Sequence, residues 1–306
     1  MGIINTNSAV FLLVAATLVW AATGISWKFF SLAGIAFIVI FLVSRLFKFL
    51  AVWFISYYRI KQREPIKNFR ELGIIFLNAC FSVGTPFFYF LAISETSVSN
   101  AYFLLYTMPA WVLIAAVLFL GEKITKKKIA GLLLTTCGIL LIASPWNGGF
   151  QISLGLIFGL LSAFSHTGDI ITSRELKDYS YHTVSFYTNL MQLFIVAAMT
   201  PLLLNPGDLQ IGLPNIAILA VTGALLGIAS DMYYHALDTL EASRAAIISF
   251  SELIFAVVLA FIFFSEMPNG SELAGYALIL IAGAIIIFRK ADIERFEHLL
   301  RFTDRQ

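Results

Sequence analysis

Apolar residues run along this chain in long blocks, each broken by a short polar or turn-forming stretch. Ten blocks stand out, at about 8–27, 34–58, 70–92, 97–120, 128–145, 152–172, 183–204, 214–237, 242–265 and 271–289. Separators such as "KQREPIKNFRE", "GEKITKKK", "PWNGG", "NPGD" and "MPNG" carry charge, proline or glycine. A helix needs roughly 20 apolar residues to cross a bilayer, and a barrel strand about half as many in alternating pattern. The pattern therefore predicts an all-α integral membrane protein with ten transmembrane helices.

Composition agrees. Of 306 residues, 59% are hydrophobic and 12% charged, against about 25% charged in soluble domains. The net charge of +2 is too small to imply a nucleic-acid partner. The expected partner at this stage is the lipid bilayer; a homodimer is allowed, and no cofactor is implied. Cys80 and Cys137 fall inside apolar blocks and are expected to be reduced, buried and inert. No His/Cys cluster has metal-ligand spacing. The first block follows no Lys or Arg and has no small-residue cleavage site, so it reads as a retained span.

Charge sets the orientation. With the N-terminus cytoplasmic, 17 of the 20 Lys and Arg fall on the cytoplasmic side, in the separators and the C-terminal tail, while only Lys28 falls opposite. Arg45 and Lys48 are intramembrane. This positive-inside bias places both termini in the cytoplasm, with a prokaryotic cytoplasmic membrane as the expected location. The tail "ADIERFEHLLRFTDRQ" spaces Ile293, Phe296 and Leu300 as on an amphipathic surface helix.

The chain also repeats itself at an offset of 144 residues. Thr23-Gly24 meets Thr167-Gly168, Leu46 meets Leu190, Tyr89 meets Tyr233, Ser99 meets Ser243, and Glu122 meets Glu266. The organisation predicted is a five-helix repeat over 1–146, a second over 147–290 and a tail over 291–306. An odd number of spans per repeat makes the two halves enter the membrane in opposite directions, with a substrate site near the midplane between them.

The second span ("SRLFKFLAVW"), "MPAWVLIAAVLFLGEKITKKKIAGLLLTTCGILLI" and its partner "SELIFAVVLAFIFFSEMPNGSELAGYALILIAGAIII" resemble the drug/metabolite transporter superfamily, EamA type. The chain departs from that pattern at Leu253 and in "SLAGIAF", where proline is usual. The resemblance implies a secondary transporter of a small metabolite, working by alternating access. Amino acids and related carboxylate or amine compounds come first, S-adenosylmethionine or a nucleotide-like solute second. No P-loop is present, which argues against ATP-driven pumping by this chain. The rival class is a membrane-embedded enzyme with His166, Asp169, Asp231 and His235 gathered at the cytoplasmic face.

Ionisable groups inside spans are costly and mark candidate sites. Arg45 and Lys48 lie three residues apart on one face; their repeat mates are Asn189 and Gln192. Arg45 is either a structural tie or an anion-binding group facing a cavity. Lys48 shares those readings or snorkels to the surface. Glu252 stands beside the repeat position of mid-span Pro109, as an amine-binding or proton-carrying carboxylate or a structural hydrogen-bond acceptor. Asp231 and His235, four apart, form a proton relay or a satisfied pair. His166 and Asp169 read as structural. Trp20, Tyr89, Tyr102 and Tyr106 line a cavity or pack. Glu122 and Glu266 are expected to tie a loop to a neighbouring helix N-terminus. Pro86 and Pro109 are expected to kink their helices. The candidate substrate-binding set is thus Arg45, Lys48, Glu252, Tyr106, Trp20, Tyr102, Asn189 and Tyr89, with Glu252, Asp231 and His235 as proton-coupling candidates.

Overall fold

The computed structural model describes residues 6–58, 65–108, 110–112, 114–115, 125–143, 153–176, 178–205, 211–237, 248–249 and 251–287. Pro109, Glu122 and the tail over 291–306 lie outside the described residues. The principal helices are α1 (Thr6–Leu32), α2 (Phe37–Tyr58), α3 (Phe69–Glu95), α4 (Val98–Leu105), α5 (Lys126–Ala143), α6 (Leu154–Glu175), α7 (Tyr181–Leu203), α8 (Leu213–Leu237), α9 (Ser251–Phe264) and α10 (Gly270–Ile287). Among the described residues there is no strand. Long apolar stretches in α1, α2, α3, α6, α7 and α8 are sufficient to cross a membrane, and α5, α9 and α10 hold shorter apolar stretches.

Local chemistry sets the helix ends. Gly34 (φ 73°) ends α1 in the left-handed region that glycine enters without a Cβ clash. The Ile35 N–H then donates to the Phe30 carbonyl and the Gly34 N–H to that of Ser31, closing the turn into α2. Asn68 caps α3 by accepting the Glu71 N–H, and Ser97 caps α4 by accepting that of Asn100. Asn269 and Glu272 cap α10 reciprocally: each side chain accepts the other's backbone N–H, at 2.9 and 2.8 Å.

Helix starts recur at the offset of 144 residues: 37 and 181, 69 and 213, 126 and 270. Packing follows the same exchange. α1 lies on α8 while α3 lies on α6; α2 lies on α8 while α3 lies on α7; and α5 packs on α10. α3 and α6 run antiparallel, since Asn78 bonds Asp169 and Thr172 near one end while Gly155 meets Thr96 near the other. The start of α3 adjoins the Lys- and Arg-rich separator over 59–67, so that side of the molecule is called the basic end.

The outer surface is apolar, as lipid requires: Phe11, Phe54, Leu202 and Phe263 are all more than half exposed. Cys137 is exposed on this surface and Cys80 is half-buried. The expectation that both are buried therefore fails, because an apolar residue of a membrane helix can face lipid instead of the protein core. Pro86 lies inside α3 without ending it.

Candidate functional site

Between the helices lies a cavity of about 680 Å³. Its walls come within about a turn of the helix ends on the basic side, at Ser173 of α6, Val184 of α7 and Tyr233 of α8. Toward the opposite side they stop at Trp27, Tyr89 and Tyr102. All eight residues of the candidate substrate-binding set line it. His166 and Asp169 line it as well, although their sequence positions pointed to a structural role. Asp231 is not among the lining residues, and the side chain of His235 lies outside the described residues.

One wall is cationic. Arg45 is only 6% exposed, and its Nη1 donates to Gln192 Oε1 at 2.9 Å. Its guanidinium carbon stands 4.9 Å from the Phe41 ring centroid, a cation–π distance. Lys48 follows one turn later, half-buried. Among the described residues neither cation makes an ion pair; Lys28 and Glu266 do. The neighbouring carboxylate, Asp169, is held by α3 instead, with Oδ1 accepting from Ser82 Oγ at 2.6 Å and from Asn78 Nδ2 at 2.7 Å. Thr188 in turn donates to Asn78 Oδ1 at 3.0 Å, joining α7 to this cluster.

Two glycines on α8 put the cationic wall where it is. A Cβ on Gly223 would collide with the Ser44 carbonyl oxygen, and one on Gly227 would lie 2.9 Å from that of Lys48. Their absence lets α2 and α8 approach closely, as small residues four apart do in membrane helices. This Gly-x-x-x-Gly spacing, "GALLG", was the available sequence signal for that contact. Asn78 and Ser82, four apart on α3, likewise signalled a polar stripe on one helix face.

The other wall is acidic and aromatic. Glu252 is 7% exposed, and its Oε2 accepts the Tyr106 hydroxyl at 2.6 Å. The Tyr102 hydroxyl donates to the Trp20 carbonyl at 2.7 Å. Tyr89 packs on Tyr102 with centroids 4.8 Å apart, and Trp20 on Tyr233 at 5.2 Å. Gly24 leaves room for this cluster, since a Cβ there would lie 2.5 Å from the Tyr89 hydroxyl oxygen.

Beyond the cavity, on the side away from the basic end, Lys28 Nζ donates to Glu266 Oε1 at 2.7 Å and to the Thr96 carbonyl at 3.0 Å. Glu266 Oε2 accepts the Val98 N–H at 2.9 Å. Glu266 therefore meets a helix N-terminus, that of α4, as its sequence position predicted. Ser265, at φ 55°, ends α9 in the left-handed region just before it.

The sequence model of the EamA-like transporter family matches residues 7–144 and again 153–289. This chain belongs to the EamA-like transporter family. It is a multi-pass membrane protein of drug/metabolite transporter type, with a lipid bilayer around it and a small-molecule substrate. This EamA-type chain is 29% identical over 213 residues to an uncharacterized transporter of Archaeoglobus fulgidus, covering 69% of this chain and 75% of that one. It is 26% identical over 196 residues to the pseudopaline exporter CntI of Pseudomonas aeruginosa, covering 63% and 67%. It is 24% identical over 198 residues to an S-adenosylmethionine uptake transporter of Rickettsia bellii, covering 64% and 66%. A solved crystal structure matches with a TM-score of 0.61 at 18% identity, over 91% of this chain and 96% of that one, which shows a shared fold.

Proposed function

We propose that this chain moves an amino acid or a related carboxylate and amine compound across the membrane by alternating access. The observation that carries the reading is one cavity with Arg45 and Lys48 in one wall and Glu252 in another. A zwitterion meets complementary charge at both ends there. The planar fork of Arg45 suits a carboxylate, and Lys48 adds a point charge. Glu252 takes the amine or a coupling proton, with Tyr106 holding its carboxylate. Asn189 borders the cationic wall, while Trp20, Tyr89 and Tyr102 enclose the apolar part of the substrate.

The architecture proposed is ten spans in two inverted repeats, 1–146 and 147–290. The double family match, the recurring helix starts and the exchanged packing partners support it. Such repeats place a substrate between the halves and let one rock against the other. The positive-inside bias supports a cytoplasmic basic end and cytoplasmic termini.

A second reading, an S-adenosylmethionine-like or nucleotide-like solute, is favoured by the Trp20–Tyr233 pair and the tyrosine cluster, which suit a planar or cationic ligand. Purified chain in proteoliposomes, offered labelled amino acids and S-adenosylmethionine with and without a pH gradient, tests both. Uptake of amino acids enhanced by the gradient supports the first reading. Uptake of S-adenosylmethionine alone replaces it with the second, and uptake of neither refutes both.

A further inference from the structure

Six buried side-chain atoms fall outside the direct hydrogen bonds among the described residues: Trp27 Nε1, Ser44 Oγ, Arg45 Nε, Ser56 Oγ, Tyr89 Oη and Ser99 Oγ. The Tyr89 hydroxyl has that of Tyr102 as its neighbour and can rotate onto it. The three serines do not line the cavity, whereas Trp27, Arg45 and Tyr89 do. The chemistry of the two groups differs. A helical serine hydroxyl can rotate onto a carbonyl of its own preceding turn. An indole N–H and a guanidinium Nε–H point where their planes point and have no such recourse. Buried donors are nearly always paired, so unpaired ones in a cavity wall call for an acceptor from outside the chain.

We propose that Trp27 Nε1 forms a second polar subsite of the cavity, which hydrogen-bonds an acceptor on the substrate's side chain. It serves a different part of the substrate from the carboxylate site at Arg45 and Lys48. The inference rests on the amino-acid reading and narrows it to amino acids whose side chains carry a carbonyl or carboxylate oxygen.

The placement follows from three contacts. Trp27 packs edge-on against Phe41, with centroids 5.9 Å apart, and Arg45 lies over that same ring. The indole and the guanidinium are therefore both neighbours of one phenyl group, close enough for a single small molecule to reach each. Tyr89 enters from α3 against Gly24, three residues before Trp27 on α1. Trp27 is 3% exposed. The Trp27 ring packs against Phe90, which fixes the N–H donor before any ligand arrives.

Equilibrium binding of L-glutamine and L-norvaline to the full chain in detergent tests this. The two have main chains of equal carbon number, and glutamine alone carries a side-chain carbonyl. Wild type should bind glutamine about tenfold more tightly than norvaline, the worth of a net hydrogen bond. Trp27→Phe removes the donor and keeps a ring, and should erode that preference. Equal binding of the two by wild type overturns the subsite and leaves the amino-acid reading standing, as does a preference that survives Trp27→Phe. Binding of neither compound by wild type overturns the subsite, and the amino-acid reading is then decided by the proteoliposome uptake assay.

Discussion

Lys28 Nζ sits 2.7 Å from Glu266 Oε1, joining α1 to the end of α9 on the side of the molecule away from the basic end. Both side chains are about 15% exposed (14% and 16%). The pair is thus shielded more than a surface ion pair, and each member has a second partner: the Thr96 carbonyl for Lys28 and the Val98 N–H at the start of α4 for Glu266. Glu266→Gln keeps an acceptor for the Val98 N–H but loses the charge, and should cost about 1 kcal/mol. Glu266→Ala loses both contacts and should cost more. Thermal unfolding in detergent checks the order. If the proposed alternating-access cycle parts α1 and α9 at this end, Glu266→Gln should also make the cavity easier to reach from that side. Labelling of a cysteine placed at Thr23, with a membrane-impermeant reagent, measures this.

Gln192 is the neutral acceptor that holds Arg45. Gln192→Ala leaves a buried guanidinium N–H unpaired and should destabilise by about 1–3 kcal/mol. Gln192→Glu is the sharper change. It supplies Arg45 with an internal carboxylate, so stability should hold while binding of carboxylate substrates is lost. If Gln192→Glu binds substrate as wild type does, Arg45 is not the anion site.

Arg45→Lys keeps the charge but loses the planar fork and its fit to Gln192 and to a carboxylate. Substrate affinity should fall, and Arg45→Ala should lower it further. Normal binding by Arg45→Lys, together with failure of Arg45→Ala to insert or fold, would make Arg45 a structural tie.

Glu252→Gln retains a hydrogen-bonding group opposite Tyr106 but cannot ionise. Proton-driven uptake in proteoliposomes should fall far more than thermal stability does, and the response to an imposed pH gradient should flatten. A mutant with wild-type pH dependence would make Glu252 a structural acceptor.

Gly227→Ala places a Cβ 2.8 Å from that of Ala51 and 2.9 Å from the Lys48 carbonyl oxygen. The clash with backbone forces α2 from α8 and should cost about 1–3 kcal/mol. It also shifts Arg45 and Lys48, so affinity should drop with stability. Unchanged melting and affinity would show that α2 has slack at this contact.

Sequence alone determined the membrane class, the helical blocks that the described residues cover, the offset of 144 residues and the polar groups worth following. These are legible because lipid imposes a simple rule on each segment: about 20 apolar residues, few charges, and basic residues kept to one side. Glu266 was legible for a related reason, since a carboxylate just past a span has few options other than a nearby helix end. Depth along one helix does not reveal which side chains from other helices share a wall. Only the tertiary structure decided that Arg45 is held by Gln192, the repeat mate of Lys48. It likewise brought Asp169 into the cavity with Asn78 and Ser82, while leaving Asp231 off the lining. The physical reason is that a membrane helix is apolar over most of its surface, so periodicity barely marks which face meets protein. Close contacts at small residues such as Gly24, Gly223 and Gly227 set each helix's rotation, and that rotation assembles the site.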